Sequence, residues 1–231
     1  MLEILNAGGG VVTPKPPPPG PSDLIGGSIT QGFYGEVPAA DLITGPSLAT
    51  LVGLTAGDSI NPNEPWLKFA LGNKTLFVAR KALRCNLSWV NLNALGIVTG
   101  KLVTIGERQY IVRLLDGGSS QTNNPTGFDR IESYYTEWNR LLYHVAGKPF
   151  ANSSNTLASE GLTEGDWAKY TEAQLGMVNG VAGCGSWVMK IRTNFHYGYL
   201  RGEVGVSYMR NVDNGTPSLY HGWRPCLELV N

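Results

Sequence analysis

The chain has 231 residues, enough for one large domain or two small ones with a sizeable buried core. Eighteen acidic residues balance 18 basic ones, no basic block stands out, and charged residues are only 16% of the chain, which argues against nucleic acid as a partner. No apolar run nears the roughly 20 residues that span a bilayer, and Met1–Gly10 lacks the charged and apolar regions of a signal peptide. Synthesis in a cytoplasm, without membrane insertion, is therefore expected.

Thirty glycines with six tryptophans and ten tyrosines suggest a loop-rich fold in which a few bulky side chains nucleate the core. Three cysteines, Cys85, Cys184 and Cys226, are too few and too far apart for a disulfide framework or a Cys-x-x-Cys metal site. Buried thiols are the expectation for them.

Residues 1–30 stand apart from the rest. Six of the 14 prolines lie between Pro14 and Pro21, with glycines on both sides at Gly8–Gly10 and Gly26–Gly27. Proline fixes φ and favours polyproline II, so this stretch builds no core of its own. It reads as an arm that becomes ordered along a neighbouring subunit. Leu2, Ile4 and Leu5 would anchor its tip, and Val11, Val12, Pro14, Pro16, Pro17, Pro18 and Pro19 would supply its length.

Residues 31–64 read as a short helical connector. Thr44 is an N-cap, Pro46 fits the first turn, Leu48, Leu51 and Val52 are expected on one face, and Gly53 is a stop. Asn61-Pro62-Asn63-Glu64-Pro65 is a turn-rich boundary, and residues 65–231 are taken as the globular module. Within it, Trp66–Leu71 and Lys74–Ala79 flank Gly72-Asn73 as a hairpin. Ser88 caps a short helix that Gly96 ends, and Lys101–Ile105 with Gln109–Leu115 make a second hairpin.

Ile131, Tyr134, Tyr135, Trp138, Leu141, Leu142 and Val145 recur at three- and four-residue spacing, which predicts a helix. Asp129 with Glu132 forms its capping box, and Gly147 ends it. His144 falls at its C-terminal end, where a cation suits the helix dipole. Residues 147–183 show little periodicity. Strands are expected again at Ser186–Ile191, Gly202–Met209 and Gly222–Val230. One long helix among short strands predicts an α+β fold.

The segments Trp66-Leu67-Lys68-Phe69, Lys74 to Lys81, Val103-Thr104-Ile105-Gly106 with Tyr110 to Leu115, and Glu137 to Tyr143 resemble, in that order, tailed-bacteriophage virion and tail-fibre proteins. The closing Gly222-Trp223-Arg224-Pro225-Cys226-Leu227-Glu228-Leu229 is the most distinctive of them, and the resemblance spans roughly residues 32–231. It implies a C-type-lectin-like module of short antiparallel strands with one long helix. Trp138, Gly222, Trp223, Arg224 and Pro225 would be its structural motif, with Arg224 bonded to buried backbone carbonyls. It further implies a virion protein, placed in the tail fibre, baseplate, collar or capsid decoration and assembled in the host cytoplasm. Its partners would be other virion proteins, in a homo-oligomer or a symmetric multi-copy assembly. The calcium-binding tripeptides of sugar-binding C-type lectins are missing, as is a second cysteine beside Cys226.

Chemistry has little foothold in this sequence. Only three histidines occur, His144, His196 and His221, at no metal-binding spacing. Glu160, Glu164 and Asp166, or Glu132 and Glu137, could be paired on paper as glycosidase acids, but they read as solvated surface. No catalytic residue, cofactor or metal is predicted. The remaining signal is aromatic density in the late loops, where Trp167, Tyr170, Phe195, His196, Tyr197 and Tyr199 offer a candidate surface for a host glycan or receptor protein. On that alternative the chain is an adhesin acting through loops 151–200.

Overall fold

The computed structural model describes residues 16–118, 136–146, 167, 169–191 and 196–230. The proline stretch leads into a small hairpin of Gly26–Ser28 (β1) and Gln31–Val37 (β2), followed by a 3-10 turn at Ala39–Asp41 and helix α1, Gly45–Val52. The α1 start follows its capping chemistry. Thr44 accepts a hydrogen bond from the Ser47 amide, Pro46 lies in the first turn, and Gly53 ends the helix at φ 80°. Its buried arc runs from Leu48 through Val52 to Ala49; Leu51, expected on that face, falls outside the arc and is exposed.

Next come Asp58–Ser59 (β3), Trp66–Leu71 (β4), Lys74–Ala79 (β5) and Arg84–Cys85 (β6). β4 and β5 pair across the Gly72-Asn73 turn, and β3 pairs with β6. Helix α2, Trp89–Ala94, opens on a capping box between Ser88 and Asn91. Lys101–Ile105 (β7) and Arg108–Arg113 (β8) make the second hairpin. Residues 137–145 are helical, with a π turn at Asn139–Tyr143. The expected capping pair Asp129–Glu132, with Ile131, Tyr134 and Tyr135, lies outside the described residues.

The last strands are Gly185–Ile191 (β9), Tyr197–Arg201 (β10), Met209–Asp213 (β11), His221–Gly222 (β12) and Cys226–Leu229 (β13). Two expectations fail here. Gly202–Met209 is mostly the turn between β10 and β11, because Gly202 and Gly205 take φ of 81° and 137°. The single closing strand is split in two at Trp223–Pro225, where proline has no N–H to give a ladder.

Among the described residues, seven strands form a sheet in the order β1-β2-β4-β5-β13-β8-β7, antiparallel throughout. The C-terminal strand is thus wedged between the two hairpins. A second sheet runs β11-β10-β9-β12, with β12 parallel to β9. Both faces of the large sheet are covered. Trp66, Phe77, Val112 and Leu227 pack with α1 and α2; Leu67, Phe69, Leu76, Val78 and Cys226 pack with Trp138, Leu141 and Leu142. Burial on both sides explains why β4 is apolar at every position but Lys68. A bulge at Tyr34 lets Phe33 enter one core and Val37 the other.

The class is α+β. Residues 31–64, read from sequence as a connector, belong to this unit: β2 pairs with β4 and α1 fills one core. Gly32 and Gly35 hide the strand in the sequence, because they interrupt its alternation. Among the described residues no helix is long and apolar enough to cross a membrane.

Candidate functional site

Three places concentrate polar chemistry. The first is the root of the N-terminal arm. Lys68, a lone charge in the apolar run of β4, is 4% exposed, and burial lowers its pKa, with the Arg108 charge adding to the effect. Its ammonium donates to the Pro21 carbonyl at 2.6 Å and the Gly20 carbonyl at 3.5 Å, and lies 5.3 Å from the Tyr34 ring centre. Gly20 takes φ 78°, and a Cβ there would overlap the Val37 side chain. Pro16, Pro17 and Pro19 border an open cleft of about 250 Å³ with Asp41, Leu42, the β7–β8 turn and Tyr110. The part of the arm from Pro16 onward, Pro18 included, therefore lies on its own module. Leu2, Ile4, Leu5, Val11, Val12 and Pro14 lie outside the described residues.

The second place is the closing motif. Gly222 fits where a Cβ would stand 2.6 Å from the Gly183 carbonyl oxygen and 2.8 Å from Ala82 Cβ. Trp223 is fully buried and pairs through its backbone with Leu83 and Arg84. Arg224, 1% exposed, donates to the carbonyls of Arg80 (2.8 Å) and Leu175 (2.5 Å) and to Ser186 Oγ (3.2 Å). Pro225 accepts from the Ala79 amide. Arg201 is a second fully buried guanidinium, bonded to the Gly117 carbonyl and Asn139 Oδ1 at 2.8 Å each. Both cations lie near the Trp138 ring, at 5.3 Å for Arg201 and 5.7 Å for Arg224, and the Trp138 indole donates to the Val206 carbonyl. Burial lowers both arginine pKa values to about 9, so each stays charged at neutral pH.

The third place is a solvent-open cleft of about 390 Å³ at one corner of the large sheet, lined by Lys74, Thr99, Ile111, Arg113, Asp116, Glu137, Met189 and Glu228. Arg113 donates to both Glu137 oxygens at 2.6 Å and to Glu228 Oε2 at 3.0 Å. Glu137 also accepts from the Asp116 amide, and Glu228 Oε1 meets Lys74 Nζ at 2.8 Å. Burial pushes the Glu228 carboxyl up, but the Lys74 and Arg113 contacts outweigh it and hold the group below the ordinary range. Glu137, expected on a solvated helix face, is instead the bidentate partner of a buried arginine. The signal was available: Arg113 and Glu228 each interrupt apolar strands, and a buried charge requires a partner.

The candidate aromatic surface divides. Trp167 (6% exposed) and Tyr199 (0%) are core residues, a correction to their place in that surface. Trp167 stacks on Phe33 and lies over Gly26 and Gly27, and its ring centre is 5.0 Å from that of His144. These large rings fill the core where the described helices are short. Tyr170 is half-buried, and burial together with the Glu36 carboxylate raises the pKa of its hydroxyl. His196 and Tyr197 are exposed, and Phe195 lies outside the described residues. His221 is buried edge-on against Trp187, with Nδ1 3.0 Å from the Thr216 carbonyl. All three thiols are free and buried, and burial pushes Cys226 up to about 12. Among the described residues no three His, Cys, Asp or Glu side chains gather to hold a metal ion. Compared with protein-family models, curated proteins and solved structures, the chain matches none.

Proposed function

We propose that this protein is a non-enzymatic structural component of a tailed-phage virion, in the tail fibre, baseplate, collar or capsid decoration. It joins other virion proteins through its N-terminal arm and presents a C-type-lectin-like module outward. The observation that carries the reading is the clip at Lys68. It fixes on the module the point, at Gly20 and Pro21, from which the arm departs. A tether loose at its root would transmit no position.

Two further features support the reading. The Gly222–Pro225 segment, on which the phage resemblance rests most, threads a buried tryptophan and arginine between the sheets. Four carboxylates near the cleft and the arm are engaged by cations: Glu137 and Glu228 by Arg113, Glu36 and Glu64 by Arg80. Such groups serve as struts, whereas a general acid or base needs an unengaged proton site. Many symmetric copies suit the arm, since a weak contact gains by repetition.

The test is truncation. Removing residues 1–15 should leave the melting temperature unchanged and abolish incorporation, read by mass spectrometry of purified particles. Removing residues 1–27 should also lower the melting temperature, because it strips the Lys68 partners and two of the three residues of β1. Wild-type copy number in particles carrying the shorter deletion would overturn the attachment role.

A further inference from the structure

We propose that β7 is a dimerisation edge: β7 of one copy of this chain pairs antiparallel with β7 of a second copy, about a two-fold axis at Val103, and joins two large sheets into one. The pairing goes beyond the attachment role and does not rest on it, because it uses no residue of the arm.

β7 ends the seven-stranded sheet, and among the described residues it pairs with β8 alone. Its hairpin turns through Gly106-Glu107, so Ile105, Val103 and Lys101 exchange hydrogen bonds with Arg108, Tyr110 and Val112. The far side of β8 fixes the same alternation, since the Gln109 carbonyl accepts from the Val230 amide. The backbone N–H and C=O groups of Leu102 and Thr104 therefore point away from the sheet. Leu102 is 57% exposed and Thr104 is exposed too, so both positions are open to solvent among the described residues. The other ends of the two larger sheets are short or guarded. β1 has three residues with Trp167 over two of them, β12 has two residues, and β11 carries Arg210 and Asp213. β7 has neither proline nor bulge, and its one charge is drawn inward: the Lys101 ammonium donates to the Val52 carbonyl at the end of α1, at 2.8 Å.

The edge fits itself. Its two outward positions flank Val103, the middle residue of the strand, so a two-fold axis there sets Leu102 against Thr104 of the second copy at both ends. Those two pairs exchange four main-chain hydrogen bonds. The exposed leucines come diagonal to each other on one face, which removes both from water. No like charges are opposed. The two Lys101 residues end up roughly 13 Å apart along the strands, and each is brought toward Glu107 in the turn of the other copy. A foreign strand could match the hydrogen bonds; the second copy also matches the charges and the leucines. The ladder is short, so the association is weak and depends on concentration.

Sedimentation equilibrium of the full chain from about 1 µM to about 1 mM tests this, with amide exchange by NMR at about 50 µM and about 1 mM. The protein should pass from monomer to dimer. The Leu102 and Thr104 amides should gain protection in the dimer, while the Val103 and Ile105 amides are protected throughout. Thr104→Pro removes an outward N–H and no bond to β8, so it should weaken the dimer about thirtyfold, the two-fold axis repeating its loss. Leu102→Lys should weaken it about tenfold, through like charges facing across the axis. Both positions are exposed, and the melting temperature of dilute protein checks that each variant folds. A chain that stays monomeric over that range, a dimer whose Leu102 and Thr104 amides exchange freely, or a dimer indifferent to both substitutions would overturn the pairing. So would protection of those amides in a monomer, which would mean that the chain's own arm covers the edge. The particle-incorporation result turns on residues 1–15 and is unaffected by any of these outcomes.

Discussion

Arg224, in the break between β12 and β13, and Arg113, at the end of β8, are both buried cations, yet they are held in opposite ways. Arg224 rests on uncharged acceptors, two backbone carbonyls and a serine hydroxyl, deep beside Trp138. Arg113 rests on two carboxylates at the wall of an open cleft. Carbonyls do not titrate and have nowhere to go. Carboxylates titrate, and a ligand can reach them. The closed site is therefore a permanent joint between the two sheets, and the open one carries a group that titrates.

The largest effect should come from breaking the closed joint. Arg224→Met leaves the Arg80 and Leu175 carbonyls buried and unbonded, which costs roughly 3–5 kcal/mol by chemical denaturation. A loss under 1 kcal/mol would mean that those carbonyls find water and that the joint is looser than its geometry. The open site should yield less. Glu137→Gln keeps the shape but turns an amide N–H toward a guanidinium, for a loss of about 2 kcal/mol.

The smallest effect sharpens the contrast through pH. The Glu228 carboxyl is lower in the folded chain than in the unfolded one, so its contribution is present above the ordinary glutamate range near 4.3 and disappears as pH falls through the folded value. Melting temperature should drop more steeply below about pH 4.5 in the wild type than in Glu228→Gln. Parallel curves for the two proteins would remove the open site from the acid response. The Arg224 joint contributes nothing over that range, since its partners carry no titratable group.

Much of the local structure was legible because it depends on near neighbours. The Gly72-Asn73 hairpin, the Thr44 and Ser88 caps and the Gly53 stop follow from side chains within four residues of the backbone they satisfy. Strand β2 was not legible, because Gly32 and Gly35 leave no alternation to read and, beyond the three-residue β1, its partner is β4, some thirty residues on in chain order. The candidate site was less legible still. Trp167 and Tyr199 look the same in sequence whether they face solvent or Phe33, and Glu137 carries no local mark of the arginine it will meet.

By itself the sequence determined the class of the fold, the turns and caps, and the presence of charges, Lys68, Arg113 and Glu228, stranded in apolar runs. Only the tertiary structure decided what answers those charges: the carbonyls of the arm root for Lys68, and one shared network for Arg113 and Glu228. The physical reason is reach. A cap or turn is satisfied within one helical turn of chain, whereas a buried ion is satisfied by whichever segment the packing of two sheets brings within 3 Å, and no local pattern records that.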